Sequence, residues 1–320
     1  MTVATPPAKL HDCRDAFVAV LERLAGDNPR IVAVCNDSVG SSKLGGFKAR
    51  FPDRLVNVGI AEQAMVGVGA GLANGGMLPF VCGASCFLTG RSLEQVKADI
   101  AYSNANVKLI GISSGMAYGE LGPTHHSIED FAWMRVLPNL PVIAPCDSIE
   151  TAAAVEWAAS YDGPVFLRLS RVGVPDLLPA GHVFQPGKAN LLRDGDAVTL
   201  IANGTLTHRM MKAADLLAAE GIQARVLNMA TVRPVDIEAV IAAAQDTGAI
   251  LTAEEHSTFG GLGSAIAEVV VAESPVPMKI LGVPGIFAPT GSAEFLLDQF
   301  GMAPAAVAES AKALIARKRA

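Results

Sequence analysis

The sequence predicts an α/β protein with two doubly wound, mainly parallel sheets, and three observations lead to this prediction. Short β-branched runs alternate with helical patterns along the chain, which is typical of parallel α/β sheets. A Pro- and Gly-rich segment, residues 175–189, interrupts the alternation and indicates a linker. The 320 residues are enough for about two domains. We therefore expect a first domain over residues 1–178, a linker over 179–191 and a smaller second domain over 192–320.

Strands and helices are expected to alternate in both domains. In the first domain, strands are predicted at Ile31–Cys35, Arg54–Val58, Leu78–Val81, Val107–Ile112, Val142–Ala144 and Val165–Leu169. The helices between them are predicted at Ala61–Asn74, Leu93–Ser103, Ile128–Leu137 and Ser148–Ser160. In the second domain, strands are predicted at Val198–Ala202, Ala224–Asn228, Ala249–Thr252 and Met278–Val283. Its helices are predicted at Thr207–Glu220, Val235–Gln245, Gly263–Glu273 and Ala293–Phe300.

The composition excludes a disordered chain and argues against nucleic acid as a partner. Hydrophobic residues make up 51% of the chain and charged residues 18%, compared with about 25% charged in typical globular proteins. The formal net charge is −6 and no basic run occurs, whereas nucleic-acid-binding surfaces are strongly basic. Such an apolar composition raises the question of whether one monomer can bury all of its apolar surface.

The stretch from Gln63 to Gly90 contains no charged residue and raises the question of a membrane span. It also contains seven glycines, Pro79 and the turn Asn74-Gly75-Gly76, which favour a buried helix, a turn and a buried strand. The N-terminal segment MTVATPPAKLHDCRDAF lacks the apolar core of a signal peptide. Five cysteines without a C-x-x-C motif fit a reducing compartment. We therefore expect a cytoplasmic protein that does not associate with membranes.

Polar residues follow four of the predicted strands of the first domain. They lie in segment 36–42 with Asp37 and Ser41, segment 59–63 with Glu62, segment 119–126 with His125, and segment 170–171 with Arg171. In open parallel sheets, ligands bind beyond the carboxyl ends of the strands. The topology therefore predicts one cleft lined by these four loops.

Each candidate residue also has an ordinary structural interpretation when taken by itself. Glu62 either interacts with a helix N-terminus or is a carboxyl in a dry pocket, with a raised pKa, that holds a proton against a ligand nitrogen. Arg171 either clamps a phosphate or carboxylate or forms an ion pair with Asp176. His125 is either a cleft residue or a loop histidine, and Phe87 is by default a core residue. Zinc is disfavoured because no Cys or His lies at ligand spacing.

Four motifs, taken together and in this order, resemble those of the transketolase family of thiamine diphosphate enzymes. They are Val58-Gly59-Ile60-Ala61-Glu62-Gln63-Ala64, the stretch from Phe87-Leu88-Thr89-Gly90-Arg91 to Gln95-Val96, Gly119-Glu120-Leu121-Gly122-Pro123-Thr124-His125, and Leu169-Ser170-Arg171. The resemblance covers nearly the whole chain but only the second and third domains of a full-length transketolase. It implies a pyrimidine-binding domain followed by a transketolase C-terminal-like domain.

The resemblance implies roles for eight residues. The implied cofactor-binding residues are Glu62, Phe87, Asp37 and Arg91, and the implied substrate-binding residues are His125, Arg171, Ser41 and Leu121. Glu62 would contact the aminopyrimidine of thiamine diphosphate, on which Phe87 would stack. His125 would contact the substrate, so that Glu62 and His125 are the implied catalytic pair. Arg171 would receive a sugar phosphate.

One part of the family pattern has no counterpart in this sequence. Thiamine diphosphate enzymes hold the diphosphate through Mg²⁺ with a G-D-G motif and a later asparagine, and the nearest string here, Arg193-Asp194-Gly195-Asp196, indicates a turn. The resemblance therefore implies that a separate N-terminal subunit supplies the Mg²⁺ ligands. The active site would form between chains, in a heterotetramer with two copies of each subunit, and this chain by itself would be inactive.

The implied reaction is the transfer of a two-carbon ketol unit from a ketose or ketose phosphate to an aldehyde. Leu121 replaces a family aspartate that contacts substrate hydroxyls, which favours a less hydroxylated, deoxy or differently substituted acceptor over an ordinary pentose phosphate. Three alternatives stay open: a beta subunit of a 2-oxoacid dehydrogenase decarboxylating component, a 1-deoxyxylulose-5-phosphate synthase-like enzyme, and a non-catalytic scaffolding subunit. The motifs Gly122-Pro123-Thr124-His125 and Ser170-Arg171 favour a sugar site over a 2-oxoacid site.

Overall fold

The computed structural model describes residues 9–318. Residues 1–8 and 319–320 lie outside this range. The prediction that the chain has no signal peptide depends partly on the first eight of them. The strands of the described part are β1 Ile31–Cys35, β2 Leu55–Asn57, β3 Leu78–Ala84, β4 Lys108–Ile112, β5 Val142–Ile143, β6 Val165–Leu169, β7 Asn190–Arg193, β8 Val198–Ala202, β9 Ala224–Asn228, β10 Thr231–Arg233, β11 Ile250–Ser257 and β12 Met278–Val283.

Helices of very different length connect these strands. They are α1 Cys13–Asp27, α2 Gly45–Arg50, α3 Glu62–Asn74, α4 Ser85–Gly90, α5 Leu93–Gln95, α6 Asp130–Arg135, α7 Ser148–Ser160, α8 Leu206–Ala219, α9 Ile237–Thr247, α10 Leu262–Glu273, α11 Ala293–Gln299 and α12 Pro304–Arg317. Short 3₁₀ turns lie at Pro52–Arg54 and Gly119–Leu121, and α5 continues as a π-helix at Val96–Tyr102.

Seven strands form the first sheet in the order β10-β5-β6-β4-β3-β1-β2. All neighbouring strands are parallel except β10 and β5. The register pairs Val34 of β1 with Val81 of β3, and Val81 with Leu109 of β4. Strands β1, β4 and β6 are buried along their whole length, as expected for parallel strands that are covered on both faces.

The second sheet has five strands in the order β12-β11-β8-β9-β7, and only the edge pair β7 and β9 is antiparallel. Apolar layers cover the sheets. One face of the first sheet packs on Met65 and Val66 of α3, and the other face packs on Phe17 and Leu21 of α1. The predicted α/β class with two mainly parallel sheets is therefore confirmed.

The structure differs from the sequence prediction mainly at short or polar elements. Helix α1 was not predicted, although the side chain of Asp12 accepts a hydrogen bond from the backbone N–H of Arg14 and caps its start. Strand β11 continues beyond the predicted end at Thr252 to Ser257. Its added residues Glu254, Glu255 and His256 are buried in polar contacts, which hydropathy does not anticipate.

Strand β10 links the two halves of the chain in an unexpected way. It follows β9 of the second sheet in sequence, yet Thr231 pairs with Ile143 at the edge of the first sheet. A three-residue antiparallel strand carries too little pattern to be recognised from sequence. The predicted division at residues 179–191 stays a prediction.

The apolar stretch from Gln63 to Gly90 forms most of α3, then β3 and α4, so the predicted order of helix, turn and strand is confirmed. No helix within residues 9–318 combines the length and hydropathy needed to cross a bilayer. All five cysteines are free thiols, and all but Cys86 are buried.

Candidate active site

Four loops meet at the carboxyl edge of the first sheet, as the topology predicts. Segment 36–42 follows β1, segment 58–61 connects β2 to α3, and residues 170–171 follow β6. The longest loop follows β4 and spans residues 113–128; we call it the His125 loop. Because β3 lies between β4 and β1 in the sheet, α4 with Phe87 stands in the middle of this group.

Glu62 is the first residue of α3 and is only 4% exposed. Its Oε1 accepts a hydrogen bond of 2.7 Å from Nδ2 of Asn36, and its Oε2 accepts one of 3.1 Å from Nη1 of Arg91. The hydroxyl of Ser38 donates to Oδ1 of Asn36 at 2.6 Å and thereby orients the amide. Each oxygen of the carboxylate is thus held by one donor.

These contacts overturn one expectation about Glu62. Burial raises the pKa of the carboxyl, but the helix-terminal backbone N–H, Arg91 and Asn36 together bring the pKa below its usual value of 4.5. The prediction of a raised pKa is therefore wrong for this structure. The Arg91 guanidinium compensates the charge that an apolar pocket by itself would disfavour.

A continuous row of rings and guanidinium groups runs from Glu62 to Arg171. The guanidinium carbon of Arg91 lies 4.1 Å from the ring centre of Phe87, and the Phe87 and His125 rings are 5.2 Å apart in edge contact. The His125 ring lies 6.1 Å from Tyr118, whose ring centre is 5.0 Å from the guanidinium carbon of Arg171. The structure thus brings Glu62, Arg91, Phe87, His125 and Arg171 together, with Tyr118 as an unpredicted member.

Two cavities open along this row instead of the single predicted cleft. One of about 870 Å³ is lined by Glu62, its neighbours on α3 and Arg91. The other, of about 470 Å³, is lined by Tyr118, Leu121 and Arg171, among others. Phe87 and His125, whose rings touch, stand between the groups that line the two cavities.

Two predicted residues lie apart from this row. Asp37 is exposed, with a positive φ of 68°, and its backbone N–H is held by Oδ1 of Asn57 at 3.0 Å. Ser41 donates its hydroxyl to the carbonyl of Ser38 at 3.2 Å. Within the described residues, it is Asn36 of this segment that reaches Glu62. Sequence reasoning missed Asn36 because its contact joins two distant segments.

The adjacent histidines have different surroundings. His125 is half-buried, and Oγ1 of Thr124 lies 3.0 Å from its Nδ1. His126 is 3% exposed, and both of its ring nitrogens lack a partner among the described residues. When the Thr124 hydroxyl donates to Nδ1, Nε2 of His125 carries the ring proton and can donate it to an oxygen of a substrate.

The residues fit one half of thiamine diphosphate. A buried carboxylate beside a half-buried phenylalanine can bind a flat heterocycle through one hydrogen bond and one stacked face, which suits an aminopyrimidine. Between residues 9 and 318, no group of three or more His, Cys, Asp or Glu side chains is arranged to hold a metal ion. The described residues thus place a carboxylate, a guanidinium group and an aromatic ring side by side at one cavity.

Comparison with protein families gives two matches that together span most of the chain. Residues 10–175 match the model of the transketolase pyrimidine-binding domain, and residues 187–307 match the model of the transketolase C-terminal domain.

Individual proteins similar to this chain are also named as transketolases or transketolase subunits. It is 45% identical over 291 residues to a subunit of the apulose-4-phosphate transketolase of Phocaeicola vulgatus, in a match that covers 91% of this chain and 93% of that protein. It is 39% identical to the 6-deoxy-6-sulfo-D-fructose transketolase subunit SqwH of a Clostridium species, over 96% of each. A solved split gene transketolase, described as an inactive beta4 tetramer, superimposes with a TM-score of 0.87 at 40% identity, over 96% of this chain and 99% of that one.

Proposed function

The chain belongs to the transketolase family, and on this premise we propose that it is the C-terminal subunit of a split transketolase that acts only with a separate N-terminal subunit. The observation that carries the proposal is the row from buried Glu62 through Phe87 and His125 to Arg171. The reaction is the transfer of a two-carbon ketol unit from a ketose or ketose phosphate to an aldehyde. The comparable lengths of relatives that are themselves named as transketolase subunits support a role as one part of a complex.

Two of these residues bind the cofactor and two bind the substrate. Thiamine diphosphate supplies, when bound, the carbon nucleophile that carries the ketol unit. Glu62 holds the aminopyrimidine through one carboxyl oxygen, and Phe87 offers it an aromatic face. Nε2 of His125 orients the carbonyl or a hydroxyl of the sugar and exchanges a proton with it. Arg171, stacked on Tyr118, binds a phosphate or another anionic end group.

The proposed acceptors are less hydroxylated, deoxy or differently substituted compared with ordinary pentose phosphates. Leu121 is 55% exposed and lines the cavity that Arg171 also lines, so it presents an apolar edge where the family has an aspartate. Relatives named for apulose 4-phosphate and for 6-deoxy-6-sulfo-D-fructose support a substrate other than the ordinary pentose phosphates. Both names describe sugars with an anionic end group, which suits Arg171.

The proposed partner is a separate N-terminal subunit that completes the cofactor site. We expect the N-terminal subunit to bind Mg²⁺ and the diphosphate, and the complex to contain two copies of each chain. An exposed, uncharged face of α3 beside Glu62, formed by Gln63, Ala64, Val68 and Gly71, supports an interface at the cofactor pocket. The free and mostly buried thiols support a location in the cytoplasm.

The first experiment is purification of this chain with and without its N-terminal partner, followed by a thiamine diphosphate-dependent assay over a panel of ketoses and aldehydes. We expect ketol transfer only from the assembled complex. Ketol transfer by this chain without a partner would contradict the proposal, and so would oxidative decarboxylation of a 2-oxoacid by the complex.

The second experiment separates a catalytic subunit from a scaffold. Glu62→Gln keeps the shape of the side chain and its contact with Asn36 but removes the ionisable carboxyl. We expect the assembled complex to lose at least about 100-fold in turnover, because general acid–base groups contribute about that much. The matched control is Glu238→Gln, the same substitution at an exposed residue in the first turn of α9. Unchanged turnover of Glu62→Gln would favour the scaffold.

A further inference from the structure

The His125 loop is bonded to the second sheet as well as to the first. The backbone N–H of Met116 donates to Oε1 of Glu255 on β11 at 3.1 Å, and the N–H of Gly291 donates to the carbonyl of Gly119 at 3.1 Å. At the end of the loop, the N–H of Ser257 donates to the carbonyl of Ile128 at 2.7 Å. The loop thus follows β4 of the first sheet but is anchored along its length to residues from the second half of the chain.

Three glycines of the loop are required by this packing. A Cβ at Gly115 would lie 2.6 Å from Cδ of Glu255, and one at Gly122 would lie 2.8 Å from Oγ1 of Thr290. A Cβ at Gly119 would lie 2.2 Å from the carbonyl oxygen of Gly291. Both Gly115 and Gly122 also have positive φ. At these three positions the backbone of the loop therefore lies directly against residues of the second half of the chain, with no room for a side chain.

Apolar contacts strengthen the same connection. Met116 and Ile128 stand at the two ends of the loop, and both are buried in the apolar cluster of the second sheet with Leu206, Ala288 and Leu296. The loop therefore contributes to the core of the second sheet. Its polar tip, with Tyr118 and His125, projects from that anchored base.

Glu255 is the polar centre of this base. It is 3% exposed; its Oε1 holds the Met116 N–H, and its Oε2 accepts a hydrogen bond of 2.7 Å from Oγ1 of Thr205 at the start of α8. Its backbone carbonyl accepts a hydrogen bond of 2.8 Å from Nη2 of Arg168. The same Nη2 donates to the carbonyl of Ser127 at 3.0 Å, so one guanidinium joins β6, the loop and β11.

The structure assigns to Glu255 the role of a positioning residue for the His125 loop, so that this residue of the second half sets the substrate site without lining its cavity. This role rests on the proposed function of His125. Glu255 lies behind the loop and fixes the backbone from which Tyr118 and His125 project. Loss of its carboxylate would leave the Met116 N–H without its buried acceptor, which favours local opening of the loop.

The neighbouring Glu254 provides a matched control. It is equally buried and lies on the same strand, but its carboxylate accepts hydrogen bonds from the N–H groups of Leu262 and Gly263 at the start of α10, at 2.6 and 2.8 Å. Removal of either carboxylate disturbs β11. Only the loss of the Glu255 carboxylate removes a hydrogen bond to the His125 loop. A comparison of the two variants therefore separates positioning of the loop from general destabilisation.

The first test measures amide hydrogen exchange in the full chain without a partner. In Glu255→Ala we expect the Met116 amide to exchange about 10- to 100-fold faster, while the amides of α3 keep their rates. Glu255→Gln should keep the wild-type rate, because its oxygen still accepts from Met116 and its amide group can donate to the Thr205 hydroxyl. Glu254→Ala should speed exchange at the start of α10 instead. If the Met116 rate is unchanged in Glu255→Ala, or rises as much in Glu254→Ala, the inference is wrong.

The second test uses the assembled complex and separates binding of substrate from binding of cofactor. In Glu255→Ala we expect kcat/KM for the sugar to fall about 10-fold or more, with most of the change in KM, and the affinity for thiamine diphosphate to stay within about 2-fold. Thr205→Ala removes the hydroxyl that donates to Oε2 of Glu255 and is used instead if Glu255→Ala folds poorly. It should change kcat/KM in the same direction but by less. Equal losses in sugar and cofactor binding would overturn the inference. A wild-type complex without ketol transfer would instead refute the proposed function, and the exchange test would still decide whether Glu255 holds the loop.

Discussion

At the scale of single residues, Arg91 is one of the groups that lower the pKa of Glu62, after the backbone N–H at the start of α3. Its guanidinium covers the Phe87 ring and donates to the Glu62 carboxylate, so it contacts both groups that would bind an aminopyrimidine. Arg91 has a side chain that is 52% exposed, and it can therefore leave at little cost when a ligand enters. Departure of Arg91 removes one of the three interactions that lower the pKa of Glu62.

We predict that Arg91→Met raises the pKa of Glu62. Burial already favours the neutral acid, and the substitution removes a positive charge and a hydrogen bond that favour the carboxylate. Carbon-detected NMR titration of the glutamate carboxyl groups measures the pKa directly. Arg91→Lys keeps the charge and should give a lower pKa than Arg91→Met. An unchanged pKa in Arg91→Met would mean that Asn36 and the helix N-terminus control the carboxyl.

A second prediction concerns Leu121 and substrate choice. Leu121→Asp restores a hydrogen-bonding acid at the edge of the cavity that Arg171 lines, so we expect activity on ordinary ketose phosphates to rise about 10-fold or more. Because Leu121 is exposed, the free energy of unfolding should change by no more than about 0.5 kcal/mol. Leu191→Asp, at an exposed leucine of β7, is the control. If the assembled enzyme shows no rise, Leu121 is not the selector.

The sequence predicts those site residues that lie in recognisable motifs and misses those defined by tertiary contacts. Glu62, Phe87, His125 and Arg171 each lie in a motif, and the structure places them in one row. Tyr118 and Asn36 have no such motif; the first joins His125 to Arg171 and the second holds Glu62 across a gap of 26 residues. Such partners become visible only when the sheet order is known.

At the scale of elements, the sequence predicts parallel strands best and short antiparallel edge strands worst. Strands β1, β6, β8, β9 and β12 lie where the apolar runs predict them. The unpredicted β7 and β10 are short antiparallel edge strands with mixed composition, for which periodicity carries little information. Helix α12 was missed as well, although Pro304 at its first position is a start signal.

We predict that Gly119→Ala disturbs the His125 loop. The added methyl group would meet the backbone of Gly291 and Ala293, which cannot yield as a flexible side chain can. We expect a loss of about 1–3 kcal/mol in the free energy of unfolding, measured by urea denaturation. The control is Gly45→Ala at the start of α2, where no atom lies within 4 Å of the added Cβ and stability should be kept or slightly raised. A loss for Gly45→Ala as large as that for Gly119→Ala would contradict the explanation.

At the scale of the whole molecule, a buried acid on α7 joins the first half of the chain to the second sheet. Glu150 of α7 is fully buried, and its carboxylate accepts hydrogen bonds from Nδ2 of Asn228 on β9 at 2.8 and 2.9 Å and from Nδ2 of Asn190 on β7 at 2.9 Å. Burial raises its pKa to about 7, although these bonds and the Cys146 N–H act in the opposite direction. The junction between the sheets therefore contains a group that titrates near neutral pH.

We predict that the contribution of Glu150 to the free energy of unfolding falls as pH rises from about 4.5 to about 7, as the difference between the wild-type and Glu150→Gln profiles. In this window the folded chain holds a proton on Glu150 that the unfolded chain has released, so a higher pH favours unfolding. The contribution is on the order of 3 kcal/mol and is constant above about pH 7. Urea denaturation at a series of pH values measures it. Glu150→Gln should flatten this part of the profile, whereas Glu156→Gln, at an exposed glutamate of the same helix, should not; an unchanged profile in Glu150→Gln would refute the assignment.

Strand β10 has a consequence for how such a protein can change over evolutionary time. The predicted linker over residues 179–191 would mark a place where two coding segments could be recombined, yet Thr231–Arg233 lies beyond it and pairs with β5. A recombination in this segment that replaced the second half would leave β5 as an exposed edge strand. It would not do so if the new second half contained a strand equivalent to β10. We therefore expect exchange of the second half alone to be less tolerated than exchange of both halves together.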